Sequence, residues 1–197
     1  MAHTFCIDLT PEQQSHLLGI ARQSIASGLR TREPLLIDTT ALAGALSADL
    51  ASFVTLQLAG DLRGCVGSLE PKGPLAQGVA VMAYHAAFKD YRFSPLAFEE
   101  LEQIQIEISV LSVPEPIDCN SEIELLAELI PAEDGLLLED RGQRVTFLPQ
   151  VWERLADPGE FVRHLKQKAG WSADYWSPTM QAHRYRTVSF EEDAVAA

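Results

Sequence analysis

The chain has 197 residues, 47% hydrophobic and 22% charged, which suits one large domain or two small subdomains sharing a core. Its 15 basic and 28 acidic residues give a formal net charge of −13. Phosphate backbones and anionic membranes are both held by Lys and Arg, so this balance disfavours nucleic acid and membrane surfaces as partners.

The start, from Met1 to Cys6, has no basic stretch followed by an apolar one, and no apolar run is long enough to span a bilayer. Cys6, Cys65 and Cys119 lie far apart and form no C-x-x-C pair. That spacing argues against a disulfide framework or a zinc ribbon and for a reducing compartment, the cytoplasm. Charge is unevenly placed: Phe93 to Asp140 holds thirteen Asp and Glu without a Lys or Arg, and Arg141 to Arg186 holds eight basic against four acidic residues. Such blocks read as a solvated acidic face, a docking surface for a basic partner, or an acidic segment facing a basic one within the fold.

Thr10-Pro11-Glu12-Gln13 predicts a helix start, with an N-cap, Pro in the first turn and Gln at the capping-box position. Leu17, Leu18, Ala21 and Ile25 follow at helical spacing, and Gly28 is the expected stop. Pro34 to Ile37 reads as extended, and Ala41 to Leu50 as a short helix or loop. A hairpin comes next: Phe53 to Leu58, a reverse turn at Gly60-Asp61, and a return over Leu62 to Val66. Leu75 to Lys89 reads as a helix with apolar residues on two sides, hence largely buried.

Ile104 to Val110 alternates apolar and polar residues and predicts a half-buried antiparallel strand, ended by Pro114-Glu115-Pro116. Ser121 to Glu124 is a capping box. Leu136 to Leu138 and Val145 to Leu148 predict a second hairpin around Asp140-Arg141-Gly142. Pro149 to Leu155 reads as a short helix, and Asp157 opens another that Gly170 stops. Trp171, Tyr175 and Trp176 form an aromatic loop, and Tyr185 to Phe190 a closing strand. Hairpins mixed with helices, without regular βα alternation, make this an α+β chain. We expect one domain over residues 1–190 and an acidic, small-residue tail over 191–197.

The segment with chemical potential is Leu62-Arg63-Gly64-Cys65-Val66-Gly67. Two glycines let a backbone or ligand approach closely, and N–H groups in such a segment can bind an anion. A thiol near Arg63 is a candidate nucleophile. The plainer reading is a packed cysteine in a glycine-bearing strand. His85 is a candidate base for Cys65, or a structural histidine. Asp90 and Arg92 either face a ligand or fix the turn before Pro95. A Cys65–His85–Asp90 triad is strained at the outset, because residues five apart do not share a helix face. There is no dinucleotide or Walker loop, no H-E-x-x-H and no G-x-S-x-G, and the histidines show no ligand spacing. We therefore assign no metal and no cofactor.

The six-residue segment resembles the defining motif of the AMMECR domain family, with Val66 where the family usually has Ile. The match continues through Ala86 to Leu96, the Ile104 to Val113 strand, Asp134-Gly135-Leu136, Thr146 to Val151 and Lys168-Ala169-Gly170. It covers most of residues 10–190. The resemblance implies two interlocked α+β subdomains with antiparallel sheets, packed helices and a cleft between them, the motif near the cleft. Prokaryotic members are similar to protein A of the AmmeMemoRadiSam system, which implies a Memo-like protein and a radical SAM protein as partners. It supplies no reaction.

Two function classes stand. One is an enzyme or enzyme subunit acting on an anionic small molecule or modified group. In it Cys65 is the nucleophile, Asp90 orients or exchanges a proton, and Arg63 and Arg92, with the backbone of Gly64 and Gly67, hold the anion. The other is a non-catalytic component that presents a substrate or docks the partners. Convergence of Cys65, Asp90 and Arg92 on an open cleft favours the first, and apolar burial of Cys65 the second.

Overall fold

The structure, a computed structural model, describes residues 7–193. Cys6 and positions 194–197 of the expected tail lie outside the described residues. In chain order the helices and strands are α1 (Pro11–Thr31), β1 (Ala51–Leu58), β2 (Asp61–Gly67), α2 (Leu75–Phe88), β3 (Ile104–Leu111), β4 (Glu115–Ile117), α3 (Glu122–Glu128), β5 (Gly135–Asp140), β6 (Gln143–Phe147), α4 (Pro158–Lys168), β7 (Gln181–Tyr185) and β8 (Thr187–Glu191). The order β2-β1-β3-β8 makes one sheet and β4-β7-β5-β6 the other. The fold is α+β, and the chain divides into two compact units, one within residues 112–187 and the other on either side of it in sequence.

In the flanking unit, α1 and α2 pack on one face of the first sheet. Ile104, Ile106, Ile108 and Val110 are fully buried, as the alternation predicts, together with Val54 and Leu56 of β1 and Leu17, Ala21 and Ile25 of α1. Each such large aliphatic side chain contributes about 1.5–3 kcal/mol by leaving water. The Thr10 cap forms as expected: its hydroxyl accepts the Gln13 N–H, and the Gln13 side chain accepts the Thr10 N–H. Helix α1 does not stop at Gly28. It runs to Thr31 and closes at Arg32, whose φ is 60°. Gly28 serves a contact instead: a Cβ there would lie 2.6 Å from the Phe88 ring and 2.7 Å from the Tyr84 ring.

The first hairpin forms, but its turn is Ala59-Gly60, with φ of 53° and 85°, and Asp61 already pairs with Leu58. Two successive positive φ values suit the twist of a tight hairpin, and shift the turn one residue earlier than the sequence suggests. Residues 39–41 and 44–47 are single 3-10 turns.

In the unit within 112–187, α3 and α4 cover the second sheet around Leu125, Leu136, Leu138, Phe161 and Leu165. The Trp152 and Phe161 rings stack there at 3.8 Å. Trp171, Tyr175 and Trp176 pack against this core, so the aromatic loop is a lid on it. Three expectations need correction. Glu115-Pro116 lies just beyond the end of β3, as expected, but is itself part of a strand, β4, where an edge position tolerates a residue without an N–H. Tyr185 to Phe190 is two strands, β7 in the second sheet and β8 in the first, parted at Arg186. Ser121 caps the Glu124 N–H, but the Glu124 carboxylate reaches Asn120 rather than closing the box. The acidic and basic blocks of sequence pair within the unit: Glu122 with Lys166, Glu128 with Arg184, Glu133 with Arg186 and Glu139 with Arg144. Among the described residues, no helix is long and apolar enough to cross a membrane.

Candidate functional site

The motif residues form β2, an edge strand paired with β1 as expected: Thr55 opposes Cys65, Leu56 opposes Gly64 and Phe53 opposes Gly67. Register slips between Leu56 and Gln57, leaving Arg63 as an extra residue without an opposite number. A bulge of this kind re-aims side chains and breaks strict alternation. Two-residue spacing alone therefore does not put Arg63 and Cys65 on one face.

Each glycine answers to a specific neighbour. Gly64 is buried, and a Cβ on it would lie 2.2 Å from the Ala86 carbonyl oxygen of α2. The strand can cross the helix end only without a side chain there. A Cβ on Gly67 would lie 2.2 Å from the Phe53 ring. Val66 joins the core beneath. The motif is thus a packing device, whatever else it does.

Cys65 is half-buried, and its Sγ accepts a hydrogen bond from the Thr55 hydroxyl at 3.2 Å. Its outward backbone N–H donates to Asp90 Oδ2 at 2.9 Å, and its carbonyl accepts from Arg92 Nη2 at 3.2 Å. Asp90 and Arg92 are themselves joined by two bonds, Nε to Oδ1 at 2.9 Å and Nη2 to Oδ2 at 2.6 Å. The pair therefore covers the free edge of β2 at Cys65, offering an acceptor and a donor where a neighbouring strand would. Edge groups left bare invite unwanted pairing, and this plug removes two of them. Asp90 is almost fully buried, with a side chain 4% exposed, whereas that of Arg92 is 44% exposed. Arg92 holds the Asp90 carboxyl well below the usual carboxylate range, with the Cys65 N–H adding to the effect against the cost of burial. An acid so placed stays ionised and has no proton to exchange at neutral pH.

Arg63 closes on Glu100 in a two-bond fork, Nε to Oε1 at 2.7 Å and Nη2 to Oε2 at 2.9 Å. Its charge is matched within the protein, which weakens the expectation that it holds an external anion. Arg92 differs. It too is paired with a carboxylate, but its side chain is 44% exposed against 11% for Arg63, and the thiol lies within its electrostatic reach. The Phe93 ring sits beside both cations, 6.0 Å from the Arg63 guanidinium and 5.4 Å from that of Arg92.

His85 lies against Tyr84, with ring centroids 5.8 Å apart, and makes no hydrogen bond to Cys65 among the described residues. Burial, and then the Lys89 charge, push its pKa down. The structure thus brings Cys65, Asp90 and Arg92 together, but through the Cys65 backbone rather than its thiol. Thr55, Phe93 and Glu100 complete the arrangement and were not singled out from sequence. Thr55 follows from the hairpin register; nothing in the sequence pairs Glu100 with Arg63.

A protein of Methanothermobacter thermautotrophicus is 34% identical over 187 residues, covering 94% of this chain and 97% of that one. One of Methanocaldococcus jannaschii is 38% identical over 134 residues, 67% of each chain. The crystal structure of an uncharacterised protein from Pyrococcus horikoshii matches with a TM-score of 0.84 at 28% identity, over 94% of each chain. The AMMECR1 family model matches residues 18–190, spanning β2, the Asp90–Arg92 clamp and both sheets, and the chain belongs to that family.

Proposed function

We infer that this chain is a cytoplasmic, A-type component of an AmmeMemoRadiSam-like system. Its motif strand serves as a rigid binding platform and not as a proton-transfer centre. One observation carries the reading. Both Asp90 oxygens are committed, to the Cys65 N–H and to Arg92, so the group best placed for acid–base work acts as a clamp. What remains accessible is the Arg92 guanidinium, on a side chain 44% exposed, beside the half-buried Cys65, a combination suited to an anionic group on a small molecule or a partner protein.

A second reading keeps the chain as an enzyme subunit. The half-exposed Cys65 thiol, with Thr55 donating to its sulfur and Arg92 nearby, supports it. The test mixes the full chain with the Memo-like and radical SAM proteins of the same organism and follows complex formation by calorimetry. The platform reading expects a complex that Arg92→Lys weakens and Cys65→Ser retains. No complex with either protein, together with a turnover abolished by Cys65→Ser, transfers the case to the enzyme reading.

A further inference from the structure

A recess of about 460 Å³ in the flanking unit is lined by Gly28, Arg32, Tyr84, Phe88, Lys89 and Pro95, among others. Its size falls within the usual range for small-molecule sites, about 300–1,000 Å³. Two aromatic rings contribute to its wall, Tyr84 and Phe88, tilted with centroids 5.1 Å apart. Their approach to α1 depends on Gly28 having no side chain. The rim is braced: the Tyr84 hydroxyl donates to the Arg32 carbonyl at 2.5 Å, and the Leu96 N–H to the Ala87 carbonyl at 2.8 Å.

The charge is what sets this recess apart. Both ionised residues lining it are cations, Arg32 and Lys89, and no carboxylate lines it. Several other guanidinium groups in this acidic chain are closed on carboxylates, among them Arg22 on Glu192, Arg63 on Glu100 and Arg92 on Asp90. The Arg32 and Lys89 side chains are exposed and make no ion pair with a described residue; Lys89 Nζ lies 6.0 Å from the Tyr84 ring centroid. Both residues follow helix C-termini, where a cation complements the backbone dipole. That accounts for a positive charge at each end, but not for both lining one aromatic-walled recess. The last-turn carbonyls of Gly28 and His85 are already answered by the Arg32 and Lys89 N–H groups.

We propose that this recess binds a small aromatic molecule carrying a phosphate monoester, the rings of Tyr84 and Phe88 taking its flat body and Arg32 and Lys89 its dianion. Two unpaired cations match a doubly charged group, with Arg suited to a forked contact and Lys to a point charge. The site is separate from the Cys65 platform and does not depend on that reading, although Lys89 adjoins Asp90 in sequence.

The probe is 1-naphthyl phosphate, titrated into the full chain by calorimetry and by amide chemical-shift mapping, with inorganic phosphate and 1-naphthol as halves of the ligand. Saturable binding below about 1 mM is expected, with shifts at Gly28, Tyr84 and Lys89. Arg32→Gln and Lys89→Gln should each weaken it about tenfold, or about 1.4 kcal/mol, while thermal unfolding falls only slightly, because both side chains are exposed and outside any ion pair with a described residue. Either half of the ligand should bind far more weakly than the whole. Absence of saturable binding, shifts confined to other regions, or affinity indifferent to both variants would overturn the proposal. Inorganic phosphate binding as tightly as the probe would remove its aromatic part.

Discussion

The Asp90 carboxylate accepts the Cys65 backbone N–H at 2.9 Å, tying the strand that carries the motif to the residues that follow α2. The same carboxylate receives Arg92 at both oxygens, and Arg92 returns to the Cys65 carbonyl. Motif and loop, 25 positions apart, are thus one hydrogen-bonded unit.

Removing the clamp should cost stability. Asp90→Ala leaves a Cys65 N–H without its acceptor and a guanidinium without its partner, a loss of about 1–3 kcal/mol. The pH dependence has a definite sign. Because Arg92 depresses the folded-state pKa of Asp90, its contribution is complete above the unfolded value, about 3.9, and is lost as the pH falls below it. Urea unfolding between pH 5 and pH 2 should show a steeper fall for the natural protein than for Asp90→Asn. Parallel curves would mean that Asp90 is not held this way.

Neither motif glycine should tolerate alanine. At Gly64 the obstruction is the Ala86 backbone carbonyl, which moves only if α2 moves; at Gly67 it is the root of the Phe53 ring at 2.2 Å and the Phe53 Cα at 2.7 Å, which move only if β1 moves. Both substitutions overpack, at a typical cost of about 1–3 kcal/mol, and both should lie at or above the upper end. Thermal unfolding of the two variants checks the cost. A Gly64→Ala protein as stable as the natural one would show that the strand does not need this close crossing.

Local rules were legible and long-range partners were not. The Thr10 cap, the Ile104 to Val110 face and the pairing of β1 with β2 rest on neighbours within a few residues or on strict alternation, and the structure has all three. Gly28 misleads because a helical glycine signals either a stop or a close contact, and the choice depends on Tyr84 and Phe88, more than fifty positions away. Tyr185 to Phe190 looks continuous because both halves have strand-like residues, while the break reflects which sheet each half joins. At the site, the structure joins Cys65, Asp90 and Arg92, three of the residues singled out from sequence, by hydrogen bonds. Their roles were not legible, because that required knowing that the bonds run to the Cys65 backbone, and that Glu100 takes Arg63.

His85 offers a second pH-dependent readout. Burial and Lys89 disfavour its charged form, so its folded-state pKa lies below the ordinary 6.5. A histidine depressed in this way binds its proton more weakly when folded. Its destabilising effect is absent above the unfolded value and grows as the pH falls through 6.5 toward the folded value. Proton NMR titration should place the His85 midpoint below those of exposed histidines, and Lys89→Gln should raise it. A midpoint at or above 6.5 would count against the burial described.

The final prediction concerns the two described cysteines, Cys6 lying outside that range. Burial pushes the Cys119 thiol up, and the charges of Glu124, Asp118 and Glu128 push the same way, so little of it is thiolate at neutral pH. Cys65 is half-buried like Cys119 but has different neighbours: the Thr55 hydroxyl donates to its sulfur, and the charged group nearby is Arg92 rather than a set of carboxylates. Alkylation of the folded protein at pH 7, followed by time-resolved peptide mass mapping, should label Cys65 several-fold faster than Cys119. Thr55→Val should slow Cys65 and leave Cys119 unchanged, since it removes a hydrogen bond to the sulfur without touching the second thiol. If Cys119 reacts first, or if Cys65→Ala lowers thermal stability without altering partner binding, Cys65 is a packing residue. Arg92 alone would then carry the outward chemistry of the platform.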